Sequence, residues 1–133
     1  MEIVFVYGTL KRGHGNHILL EKSEFLGPAE TNDKYVMYQA GIPFVSKAFK
    51  ETRISGEVYR VDELELNHLD LLEGHPTWYK REEIYVKYIN NKGEVKTTKA
   101  WLYFNEQIPH QAEVLKTGIY GIKGEESKFK SLL

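Results

Sequence analysis

The 133-residue chain contains no cysteine. Disulfides, cysteine-ligated zinc, iron–sulfur clusters and thiol nucleophiles are excluded together. The absence suits a reducing compartment, and a cytoplasmic location is expected. An excess of charge is lacking too: 18 Lys and Arg stand against 19 Asp and Glu, a formal net charge of −1. Such a balance gives no bulk field to attract nucleic acid or an anionic membrane, so neither partner is expected. Long apolar runs are missing. The clearest near the start, Ile3–Tyr7, suits a buried strand and is far too short for a membrane span. Acidic Glu2 follows Met1 where a secretory signal would carry basic residues. No linker, internal repeat or low-complexity block interrupts the chain. One domain over residues 1–120 is expected, with a charged, loosely held tail over 121–133.

Several catalytic signatures are absent as well. There is no Walker loop, because no Gly-Lys-Ser/Thr ending occurs, and Gly13-His14-Gly15 lacks the third glycine of a dinucleotide fingerprint. No Gly-x-Ser-x-Gly elbow is present. His14 and His17 lie three apart and His68 and His75 seven apart, but neither pair has a third ligand in register. No metal site is expected.

What is present reads as an α+β fold. Hydrophobic residues make up 41% and charged residues 28%, the balance of a chain that packs a core rather than staying disordered. Ile3–Tyr7 reads as a central strand, followed by a glycine-rich loop over Gly8–Asn16. Asn16 is placed to cap a short helix over His17–Lys22, with Gly27-Pro28 as a break. Tyr35–Tyr38 and Ile54–Val61 read as strands, and Gly41-Ile42-Pro43 as a turn. Gly56 marks a bulge or a close approach. Asp62 and Glu65 have capping-box spacing, and a helix is expected from there to Glu73, ended by Gly74 and Pro76. Leu64, His68, Leu69, Leu71 and Leu72 share one side of it at about 100° per residue. Glu82–Ile89 and Val95–Phe104 form an expected antiparallel hairpin across Asn90-Asn91-Lys92-Gly93. Pro109 is placed to start a helix ending near Gly118. Strands in hairpin order, not strict βαβ alternation, separate this pattern from a doubly wound sheet.

Two segments carry candidate chemistry. The first is Tyr7-Gly8-Thr9-Leu10, where a strand ends at a glycine. The segment reads either as a plain turn or as a nest, in which successive N–H groups converge on a carboxylate or phosphate and the Thr9 hydroxyl adds a donor. The second is Glu73, at the expected C-terminus of a helix and among mostly apolar and aromatic neighbours. Exposed, it is a glutamate tolerating a dipole penalty of roughly 0.3–1 kcal/mol. Buried, it has a raised pKa and suits a general base near neutral pH.

Taken together, Val4-Phe5-Val6-Tyr7-Gly8-Thr9-Leu10-Lys11-Arg12-Gly13, then Gly56-Glu57-Val58-Tyr59, then Leu69-Asp70 leading into Glu73, then Tyr79, resemble the γ-glutamyl cyclotransferase superfamily. The similarity is greatest to its γ-glutamylamine cyclotransferase branch and the related plant avirulence-induced-gene-like proteins, and it runs from about Ile3 to Phe104. The resemblance implies a small mixed-strand β-barrel with a few packed helices. It implies an enzyme that needs no cofactor or metal and takes a small-molecule γ-glutamyl amide. The substrate's α-amine attacks its own γ-carbonyl and releases 5-oxoproline and a free amine. By the same resemblance Glu73 is the catalytic acid/base, Tyr7, Gly8, Thr9 and Leu10 hold the α-carboxylate, and Tyr79 lines the pocket. Tyr103 and Gly41-Ile42-Pro43 are further candidates for its wall. The alternative is a binding protein that keeps the nest and cavity for a small carboxylate or amino acid without chemistry.

Overall fold

The computed structural model describes residues 1–121 and 127–133. Five strands close into a mixed barrel: β1 (Glu2–Val6), β2 (Glu24–Ala40), β4 (Thr52–Val61), β5 (Lys80–Ile89) and β6 (Val95–Phe104), neighbours in the order β2-β4-β1-β6-β5 with β5 returning to β2. β3 (Ile42–Ser46) and β7 (Glu113–Val114) add to the far half of β2. Only the β1–β6 contact is parallel among these pairs, Val4 lying opposite Trp101. With helices α1 (Glu63–Glu73) and α2 (Lys128–Leu132) the architecture is α+β, as expected.

β1 is the hub. Its neighbours are β4 and β6, and both of its faces are covered, which explains why its sequence is apolar without alternation. Phe5 and Tyr7 pack with Ile54, Val58, Val86 and Leu102 from other barrel strands. Val4 and Val6 point the other way, toward Leu20, Leu66 and Leu69 beneath the helical segments. The chain thus has one core inside the barrel and another between barrel and helices. Gly56 is a close approach: a Cβ there would lie 2.2 Å from the Val6 carbonyl oxygen.

The hairpin β5–β6 pairs from Lys80↔Phe104 to Ile89↔Val95, and the Asn90 side-chain oxygen accepts from the N–H groups of Lys92 and Glu94 in its turn. The strand starts two residues before the expected Glu82. Asp62 caps α1 by accepting from the Glu65 N–H at 2.7 Å.

Four expectations are corrected. Leu64, His68, Leu71 and Leu72 are exposed, and α1 buries Leu66 and Leu69 instead. The helix packs by a narrow stripe, so periodicity alone overestimates its apolar face. Gly27-Pro28 is not what ends the helical turn, which stops at Leu20; it lies within β2 beside a register shift between Phe25 and Gly27. No helix forms over Pro109–Gly118. Edge pairing wins there, with Tyr38 and Gln39 opposite Val114 and Glu113, and the Leu115 N–H donating to the Met37 carbonyl. Asn16 makes no side-chain cap, and His17–Leu20 is a single 3₁₀ turn. Of the expected loose tail over 121–133, residues 122–126 lie outside those described. Beyond them Ser127 caps α2, and Phe129 is buried at 4% exposure.

Candidate active site

The chain leaves the barrel at Val6 and turns at once. Gly8 takes the turn beside Pro43, and a Cβ at Gly8 would lie 2.8 Å from the Pro43 Cγ. The loop is stitched from within: the Lys11 N–H donates to the Gly8 carbonyl and the Asn16 N–H to the Thr9 carbonyl. Among the described residues, the N–H groups of Gly8, Thr9 and Leu10 have no acceptor. Three successive donors without an acceptor among the described residues, at the end of a strand, are what the nest reading requires. The Asn16 Nδ2 donates to the Thr9 Oγ1 at 2.9 Å, which leaves the Thr9 hydroxyl its own proton to donate.

Glu73 comes from the other side of the site, as the last residue of α1. Gly74 closes that helix in the left-handed conformation, φ 65°, its N–H on the Asp70 and Leu71 carbonyls. The loop that follows is tight. Thr77 and Trp78 donate N–H groups to the Gly74 carbonyl, and Tyr79 donates its own to the Glu73 carbonyl at 3.1 Å.

These pieces meet around one cavity of about 160 Å³. Tyr7, Gly8, Thr9, Leu10, Glu73 and Tyr79 all line it, so the structure brings together every site residue expected from sequence. Tyr103 and Ile42-Pro43 line it as well, while Gly41 does not. Phe5, Val6, Asn16, Leu72 and Trp78 also line it, and none of them is a site residue expected from sequence. Asn16 read as a helix cap, which hid its bond to Thr9. Leu72 read as core, yet it is half-exposed at the rim.

Glu73 is the one ionisable carboxyl in this wall. No hydrogen bond or ion pair reaches it among the described residues, and burial alone pushes its pKa up to about 7. Glu73 is partly rather than fully buried, an environment between the two readings of the sequence and nearer the buried one. The phenols around it are all driven upward and stay neutral. Burial is the main cause for Tyr7, Tyr79 and Tyr103, and the nearby Glu73 charge adds to it in each. Their hydroxyl protons are already committed. Tyr7 donates to the Tyr103 carbonyl at 2.7 Å, Tyr79 to the Pro43 carbonyl at 2.7 Å, and Tyr103 to the Asp70 Oδ1 at 2.7 Å. Each phenol fixes a wall of the cavity.

A larger cavity, about 380 Å³, has walls that include Phe25, Gly56, Glu57 and Leu132 and contains none of the expected site residues. Its carboxyl is already satisfied: Glu57 accepts from the Arg12 N–H and the Tyr59 hydroxyl. Two of the histidines are engaged by the backbone, His17 Nδ1 against the Leu10 carbonyl and His75 Nδ1 accepting from the Arg81 N–H. No three metal-ligating side chains come together among the described residues.

Residues 4–121 match the family described as gamma-glutamyl cyclotransferase, AIG2-like. The chain belongs to that family. Within this cyclotransferase family, a Methanocaldococcus jannaschii protein named "Putative gamma-glutamylcyclotransferase" is 47% identical over 105 residues, covering 78% of this chain and 84% of that one. Gamma-glutamylaminecyclotransferase from Rattus norvegicus is 37% identical over 102 residues, covering 70% and 68%. The crystal structure of an AIG2-like protein from Mus musculus superposes with a TM-score of 0.73 at 29% identity, covering 83% and 80%. No helix among the described residues is long and apolar enough to cross a membrane.

Proposed function

We propose that this cyclotransferase-family protein converts a γ-glutamyl amide to 5-oxoproline and a free amine at the cavity between the Gly8 loop and Glu73. The observation that carries the reading is a pairing of opposites. A carboxyl with a pKa of about 7 and three N–H donors, all without a partner among the described residues, share one cavity. The donors suit the substrate's α-carboxylate, and the Thr9 hydroxyl adds a further bond to it. That contact leaves the α-ammonium to face Glu73.

The chemistry then balances within the substrate. Glu73, as carboxylate, takes a proton from the α-ammonium, because only the neutral amine is nucleophilic. The amine nitrogen forms a bond to the γ-carbonyl carbon and closes a five-membered ring. The γ-amide C–N bond breaks. Two protons leave the attacking nitrogen and two reach the departing one; Glu73 returns the proton it took and ends as a carboxylate. A base with its pKa near ambient pH serves both directions of transfer. Folding the γ-glutamyl chain so that its ends meet supplies much of the rate, since oriented intramolecular attack reaches effective molarities on the order of 10⁵–10⁸ M. No group beyond side chains, backbone donors and substrate enters the scheme, and the reading places the reaction in the cytoplasm.

The test is product identity. The protein is incubated with γ-glutamyl-lysine, γ-glutamyl amino acids and glutathione, and 5-oxoproline and the released amine are measured by mass spectrometry. Equal amounts of both from at least one substrate are expected. Release of glutamate in place of 5-oxoproline would make the protein a hydrolase. No release from any substrate, with ligand-induced stabilisation by the same compounds, would favour the binding protein.

A further inference from the structure

α1 is weakly anchored at the end that carries Glu73. Its buried apolar side chains are Leu66 and Leu69, while Leu71 is 80% exposed. No apolar side chain locks the last turn. Asp70 does so with its carboxylate. Its Oδ1 accepts from the Tyr103 hydroxyl at 2.7 Å and from the Arg81 Nε at 2.8 Å, and its Oδ2 accepts from the Arg81 Nη2 at 3.1 Å. One side chain thus ties the helix end to β6 and to β5. Arg81 is held in turn, its guanidinium 4.3 Å from the centre of the Trp101 ring. The pair is mostly buried, 17% exposed at Asp70 and 19% at Arg81.

A fastening alone does not require charge. A buried ion pair is often no more stabilising than apolar residues of the same volume. An acid and a base together, however, fix the charge beside a neighbouring group. Asp70 lies three residues before Glu73 on α1, where helical side chains are neighbours. We propose that Asp70 and Arg81 are positioning residues for Glu73: Asp70 fixes the helix end that presents it, and Arg81 cancels the Asp70 charge beside it. This rests on the reading of Glu73 as the general base.

The phenols that feel the Glu73 charge are Tyr7 from the end of β1, Tyr79 from the loop before β5 and Tyr103 from β6, while His75 acts on Asp70. The three phenols stay neutral, so the charged neighbours of fixed sign are Asp70 and Arg81. Desolvation raises the Asp70 carboxyl, but the Arg81 and Tyr103 hydrogen bonds and the Arg81 charge outweigh it and hold it ionised. Burial is the one cause that shifts Glu73 in the intact protein.

The signs follow. Arg81→Gln leaves the Asp70 anion unopposed, disfavours a second anion at Glu73 and moves its titration to higher pH. Asp70→Asn leaves the cation and moves it to lower pH. The double variant returns it toward wild type, and Arg81→Lys, which keeps the charge, holds it there. Each single shift is expected to be about half a pH unit or more.

The experiment is a carboxyl NMR titration of protein labelled at the glutamate side-chain carboxyl carbon, with the Glu73 signal assigned by its loss in Glu73→Gln. It is run beside kcat and KM for a γ-glutamyl amide. Opposite shifts in the single variants, compensation in the double, and a fall in kcat larger than any rise in KM support the proposal. Unchanged Glu73 midpoints with only lower melting temperatures would overturn it and leave Asp70–Arg81 a fastening. Asp70→Asn and Arg81→Lys conserve volume and give the readout if Arg81→Gln fails to fold. Failure of the base reading is visible separately, as full activity in Glu73→Gln, and the titration does not depend on turnover.

Discussion

The N–H of Tyr79 donates to the carbonyl of Glu73 at 3.1 Å, while the Tyr79 hydroxyl donates to the carbonyl of Pro43 at 2.7 Å. One residue thereby holds the loop after α1 against β3. Pro43 in turn is the neighbour that a side chain at Gly8 would strike. Tyr79→Phe keeps the ring and its stacking on Phe44 but removes a donor to a buried carbonyl. A loss of about 1–3 kcal/mol of stability is expected, read by thermal or urea unfolding. Activity should persist at a reduced level, because the phenol shapes the wall and takes no part in proton transfer.

Gly8→Ala tests the carboxylate nest. The added Cβ meets the rigid Pro43 ring at 2.8 Å, so the loop must move. Overpacking of this kind costs about 1–3 kcal/mol. The N–H groups of Gly8 to Leu10 then lose their common aim. A rise in KM of about tenfold or more, with a smaller change in kcat, is the expected outcome of steady-state kinetics.

The Glu73 carboxyl makes opposite demands on activity and stability. The proposed catalysis needs the carboxylate, so kcat/KM should fall about tenfold per pH unit below pH 7 and level off above it. Folding prefers the protonated acid. The ordinary value is 4.5 and the folded value about 7. Stability from this site is fully present below the lower value and lost as pH rises through the higher one. Glu73→Gln removes that loss. The variant should melt above wild type at pH 8, by the equivalent of about 1–2 kcal/mol after discount for its partial exposure, and level with it at pH 4. Melting curves across pH check the crossing.

Phe129 anchors the C-terminal segment. It is 4% exposed, and α2 lies against β2 and β5. Phe129→Ala should cost about 3 kcal/mol, at the low end for a buried phenylalanine. Unchanged unfolding would support the expected division into a domain over 1–120 and a tail over 121–133.

Where one local rule governs, the structure follows the sequence. β1 reads directly because a strand covered on both faces is apolar throughout, and the Asn90 turn because its side chain closes its own loop. Tyr7–Leu10, Glu73 and Tyr79 converge because the ends of β1 and α1 reach the same rim. What stayed hidden depends on partners distant in sequence. Leu71 fits the apolar side of a helical wheel yet faces solvent, since α1 packs only through Leu66 and Leu69. Pro109–Gly118 has helix-compatible composition, but the open edge of β2 recruits Glu113 and Val114. Asn16 follows the rule for a cap and serves Thr9 instead. The Asp70–Arg81–Tyr103 cluster spans three elements, and no spacing along the chain announces it.

The central claim is that Glu73 is the base of a cyclisation. It is tested most directly by the rate of 5-oxoproline formation at pH 8 from one accepted γ-glutamyl amide, in wild type and in folded Glu73→Gln. A fall of about 10²-fold or more, with substrate still bound, is predicted. Equal rates in the two proteins would contradict the account.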